Sequence, residues 1–217
     1  MRRIYLLALS TLVLGAVPMF ASVEYTLTAD ACSSGCGTPP YGTIDLIQNG
    51  ANTVQLTVAL ASGYKFVDTG GHSGLAFNLI GNPTISATIP TGWSLNNSGV
   101  AGSIGNNAFG DFEYAFDCGA CGPGASHSEP GPFTFDITAS GLTPASFAEL
   151  STGGSLSAYF AVDVIAPGPN GNTGSVGANG PGVPSPVPEP ADAVLLGTLM
   201  LGCGFLARRR YRFAGRK

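Results

Sequence analysis

Apolar and polar residues alternate with a period of two through much of the middle of this 217-residue chain. In Thr53–Ala61 (TVQLTVALA), Val54, Leu56, Val58 and Leu60 fall on one side, with Gln55 and Thr57 on the other. That is the pattern of a half-buried strand. Gly42–Gln48 precedes it, and the joining Asn49-Gly50-Ala51-Asn52 carries an Asn-Gly pair, a strong hairpin-turn signal. Further strands are predicted over Val23–Thr28, Lys65–Val67, Leu75–Ile80, Thr84–Ile89, Asp111–Asp117, Phe133–Thr138 and Ser157–Val164. Only Pro144–Leu150 reads as helical, with Thr143 as N-cap and Pro144 at the first helical position. Many short strands between Gly, Pro and Asn clusters predict an all-β fold, an antiparallel β-sandwich for which a jelly-roll-like wiring is one solution.

Both ends break this pattern. Arg2 and Arg3 precede the apolar run Ile4–Phe20, and small residues follow at Ala21 and Ser22. This is the layout of a secretory signal peptide over residues 1–21, with cleavage near Ala21. At the other end Ala193–Ala207 is a 15-residue run without a charge. As a helix it would cover ~22 Å, short of a ~30 Å hydrocarbon core unless the basic tail 208–217 snorkels to extend it. Both basic ends are expected on the cytoplasmic side, with the middle outside. Residues 166–186, rich in Gly and Pro, read as a spacer, which leaves 22–165 as the folded domain.

Charge is just as polarised. Lys65 is the only Lys or Arg between Ile4 and Ala207, while twelve acids lie between Ser22 and Pro190, a net of −11. Nucleic acid is excluded as a partner for the middle, since such binding rests on Lys and Arg neutralising phosphates.

Immediately before the C-terminal apolar run stands Val187-Pro188-Glu189-Pro190-Ala191, and immediately after it Arg208, Arg209, Arg210 and Arg212. A Pro-Glu-Pro tripeptide, one apolar helix and an Arg-rich terminus, in that order, resemble the PEP-CTERM sorting signal of exported bacterial proteins. The resemblance implies an exosortase, besides signal peptidase, as transient partner, with removal of the anchor near Pro188–Pro190. It also implies export across the inner membrane, a temporary anchor with a cytoplasmic C-terminus, and delivery to the cell surface or extracellular matrix. There a structural or adhesive role in exopolysaccharide or biofilm is the expected function. The two prolines fix φ and remove N–H donors, so the peptide at the membrane face stays extended and open to an enzyme.

The chemistry-bearing residues are few. Cys32 and Cys36 fall in one loop and Cys118 and Cys121 in another, spacings that suit a zinc site or disulfides. Export favours disulfides, with three connectivities open, and no metal or cofactor is expected. Trp93, Tyr41 and Tyr64 are candidates for a sugar-stacking platform, the basis of an alternative reading as a carbohydrate-binding module. A secreted hydrolase is a weaker alternative. It would need His72 or His127 against a serine or carboxylate in one cleft, and no nucleophile elbow or metalloprotease motif is present, so no catalytic residue is assigned. Asp111, Glu113 and Asp117 share parity on the predicted strand. They suit a carboxylate pair or a calcium site, or simply a solvated face with Phe112, Tyr114 and Phe116 inside.

Overall fold

The computed structural model describes residues 22–184, apart from 71, 98, 99, 101, 169 and 170. The expected signal peptide and the whole sorting segment 187–217 lie outside the described residues. Among the described residues no helix is long and apolar enough to cross a membrane.

The strands in chain order are β1 (Ser22–Leu27), β2 (Ala29–Asp30), β3 (Gly42–Gln48), β4 (Thr53–Leu60), β5 (Lys65–Phe66), β6 (Leu75–Phe77), β7 (Ser86–Thr88) and β8 (Trp93–Asn97). They continue with β9 (Ile104–Gly105), β10 (Gly110–Phe112), β11 (Tyr114–Cys118), β12 (Phe133–Thr138), β13 (Thr152–Gly153), β14 (Phe160–Ile165), β15 (Thr173–Ala178) and β16 (Val183–Pro184). All pairings are antiparallel. One sheet runs β16-β1-β3-β4-β12-β7, a second runs β2-β15-β14-β6-β11-β8 with β5 beside β14, and a small third runs β13-β10-β9.

The two larger sheets pack in a sandwich-like arrangement because each strand sends alternate residues inward. Tyr25, Ile44, Leu56 and Phe135 come from the first sheet, and Phe77, Phe116, Phe160 and Val176 from the second. Phe116 and Phe135 stack across the gap with centroids 4.1 Å apart. The other face of the second sheet presents small residues, Ala76, Ala115 and Ala161. There Ile104, Phe109 and Phe112 of the third sheet and its flanks form a second apolar cluster.

Three expectations are corrected. The spacer read over 166–186 contains β15, which pairs with all six residues of β14 and is buried from Gly174 to Ala178. The folded body therefore runs on to Pro184. Its Gly and Ser residues mark close packing: a Cβ on Gly177 would lie 2.6 Å from the Phe109 ring, and one on Gly174 2.8 Å from the Cys32 Cα. Asp111–Asp117 is two strands broken at Glu113, the first in the third sheet and the second in the second sheet, so its acids share no continuous face. Phe112 accordingly joins the second cluster. The helix at Pro144–Leu150 shrinks to one turn of 3-10 helix, Pro144–Phe147, where the Thr143 amide donates to Ser146 Oγ at 3.1 Å.

β1 pairs with β16 while β2 pairs with β15, so the first and last strands cross from one sheet to the other side by side. The crossing is sewn by Thr28, whose amide donates to the Gly177 carbonyl at 3.0 Å and whose hydroxyl donates to Asn179 Oδ1 at 3.0 Å. Val23 and Pro184 are register partners.

Candidate functional site

A group of polar side chains lines a 430 Å³ pocket on the outward side of the second sheet. Its foundation is Asp163 at the centre of β14. Val162 and Val164 face the main core, so pleating turns Asp163 the other way, where it is fully buried. Buried charge is tolerated only with hydrogen bonds, and Thr69 provides them. Its amide donates to Asp163 Oδ2 at 2.6 Å, and its hydroxyl donates to the same carboxylate at 2.9–3.0 Å. This anchors the loop between β5 and β6 and sets His72 beside the acid, Nδ1 to Oδ1 3.8 Å, with the ring 8% exposed. Asp68, His72 and Ser73 from that loop, Asn96 from β8, Asp117 from β11 and Ser103 line the pocket.

The field in this pocket is negative. Partial burial pushes the Asp68 carboxyl up, Asp163 and Asp117 add to this, and His72 opposes it. The 3.8 Å separation of His72 and Asp163 is an ion-pair distance, longer than a hydrogen bond, and Thr69 donates to both oxygens of the same carboxylate. His127 lies on a separate exposed 3-10 turn, its Nδ1 2.9 Å from Ser126 Oγ.

The cysteines form two local disulfides, Cys32–Cys36 and Cys118–Cys121. Closing such short loops contributes about 2 kcal/mol each. The first is braced from below. Asp30 accepts from the Cys32 amide at 2.8 Å and the Cys36 amide at 2.7 Å, and the Tyr64 hydroxyl donates to the Cys36 carbonyl at 2.7 Å. Tyr41 and Tyr64 meet edge to face at 5.7 Å and are buried, and Trp93 is buried among Phe66, Phe133 and Phe135. The predicted stacking platform is therefore core: none of the three rings offers a face to a sugar.

Of the three acids singled out by parity, Asp117 lines the pocket, Asp111 sits in β10, and Glu113 is buried at the strand break. The Glu113 amide donates to Asn78 Oδ1 at 2.9 Å, and Asn78 Nδ2 donates to the Leu150 carbonyl at 3.0 Å. Burial first and the Glu149 charge second push the Glu113 carboxyl up, against hydrogen bonds from the Asn82 side chain and the Leu79 backbone. A carboxyl held high in the folded state contributes stability below its unfolded pKa and loses that contribution as pH rises through the folded value. Glu113→Gln is therefore expected to be more stable than the native protein at neutral pH and to gain nothing in acid. Urea midpoints across the pH range check this, and a loss at neutral pH would refute it.

Asp163 and Thr69 were not singled out from sequence. The available signal was a lone acid inside the apolar run Phe160–Ile165, a residue that a buried strand keeps only with partners. Compared with family models, curated proteins and solved structures, the chain matches none.

Proposed function

We propose that this is an exported cell-surface or extracellular-matrix protein, processed by an exosortase at Val187–Ala191 and acting as a structural or adhesive component. The order Pro188-Glu189-Pro190, apolar run, arginine tail carries the reading. Two local disulfides and the near absence of basic residues from the body support it, because both suit an oxidising, extracytoplasmic setting. We read the sandwich as jelly-roll-like, its first and last strands lying together at one seam. The last described strand reaches Pro184, and the Val187–Ala191 peptide begins three residues later in the sequence. The burial of Trp93, Tyr41 and Tyr64 removes the aromatic version of the carbohydrate-binding alternative.

Replacing Pro188, Glu189 and Pro190 by alanine is expected to leave the protein in the membrane fraction with Arg208–Lys217 still attached, whereas the native chain is released without them. Fractionation with mass spectrometry of both termini reads the result. Equal release of the variant would overturn the assignment.

A further inference from the structure

The turn that carries the first disulfide also carries a carboxylate. We infer that Cys32, Cys36 and Asp30 form a redox-gated metal site: with the disulfide opened, they hold one divalent cation of the zinc class. This function goes beyond sorting and a structural role and depends on neither.

The geometry is that of a ligand set. The Cys32 and Cys36 sulfurs and an Asp30 carboxylate oxygen all lie within 4.8 Å of one another. Thiolate and carboxylate ligands around one tetrahedral zinc stand about 3.6–3.8 Å apart, so the sulfurs need only part from bonding distance to mutual contact. Among the described residues no other three metal-ligating side chains come together in this way, and Cys118–Cys121 lacks the third ligand. Two sulfurs select zinc or cadmium over calcium or magnesium.

The turn has contacts that do not depend on the S–S bond. Asp30 belongs to β2 and is the register partner of Val176. Its carboxylate accepts the Cys32 and Cys36 amides, and the Tyr41 hydroxyl donates to Oδ2 at 3.3 Å, the kind of outer bond that orients a ligating carboxylate. Each carboxylate oxygen keeps a further lone pair for a metal. The Gly35 amide donates to the Cys32 carbonyl at 3.0 Å, and Asn172 Nδ2 donates to the Gly35 carbonyl at 2.8 Å.

Access favours this bridge over the other. Cys32 is half-buried, and Cys36 lines a 560 Å³ pocket with Ser34, Gly171 and Asn172, room for a small reductant and for a water as fourth ligand. Cys118 and Cys121 are both buried. A phosphine reductant breaks the S–S bond by giving up two electrons and leaves as its oxide, with oxygen taken from water. The two protons of that water go to the sulfurs, and zinc then displaces both to solvent.

The test uses the full-length chain in detergent with Cys203→Ser, which removes the one cysteine outside the two bridges. Phosphine reduction to two thiols per chain, followed by alkylation and peptide mass mapping, is expected to find Cys32 and Cys36 open and Cys118–Cys121 closed. Freed of phosphine, that form is expected to bind one zinc ion per chain, and the unreduced form none. X-ray absorption at the zinc edge is expected to show two sulfurs, with oxygens in the remaining positions. Asp30→Asn is expected to bind zinc about tenfold to a hundredfold more weakly. Asp45→Asn, the same charge change elsewhere, is expected to bind as the native protein does. The second bridge opening first, no zinc uptake after reduction, or equal uptake without it would each overturn the proposal. So would a shell with no sulfur or with more than two, or equal losses in the two variants. The absorption spectrum reads the native ligands, so the proposal can fail even where Asp30→Asn does not fold.

Discussion

A chain ended after Ile165 is expected not to fold, although residues 166–186 read as a spacer in the sequence. The truncation strips β15 from the full length of β14, a strand whose six residues are all buried. Buried amides and carbonyls of β14 on that side would then lose their partners. The main core loses Val176 and Ala178, and Phe109 loses the glycine surface of Gly177 against which its ring lies. The first sheet loses β16 from the edge of β1. Together these exceed the roughly 5–15 kcal/mol by which domains are stable. Far-UV circular dichroism and urea titration of chains ended after Ile165 and after Pro184 decide the matter. The longer chain should unfold cooperatively and the shorter show no transition. Matching midpoints would mean that β15 is dispensable.

Trp93→Ala is expected to cost about 4 kcal/mol and to lower Tm by roughly 12 °C. Trp93 opens β8 at the edge of the second sheet, yet its indole is 8% exposed. It meets Phe133 at 4.8 Å, Phe135 at 5.3 Å and Phe66 at 5.7 Å between ring centroids. Gly74 exists as glycine because a Cβ there would come within 2.6 Å of the indole. Removing the ring leaves a cavity bounded by three aromatics that cannot all collapse into it. A Tm within about 2 °C of native would contradict this packing.

These two results mark where local pattern could be read and where it misled. The hairpin of β3 and β4 was legible because strict alternation and Asn49-Gly50 point to one structure, and β12 was legible for the first of those reasons. β15 was not, because Thr-Gly-Ser-Val-Gly-Ala lacks the bulky residues that mark a strand. It lies where Cys32 on one side and Phe109 on the other leave no room for them. The shared parity of Asp111, Glu113 and Asp117 also suggested one strand, while the chain passed from one sheet to another at Glu113, a change that only tertiary pairing sets. For the candidate site, the loop carrying Asp68 and His72 was visible as Gly-rich sequence, but its anchor on Asp163 spans 94 positions. Aromatic residues near turns were equally ambiguous: Tyr41, Tyr64 and Trp93 could have faced either way, and only packing turns them inward.

Val23 and Pro184 face each other on neighbouring antiparallel strands, so the polypeptide enters and leaves the body at the same end of one seam. Tension applied between the two flanks would pull that seam open a residue pair at a time instead of sliding a whole ladder at once. A body held by both flanks is thus mechanically soft at its entry, and severing either flank removes that peeling load.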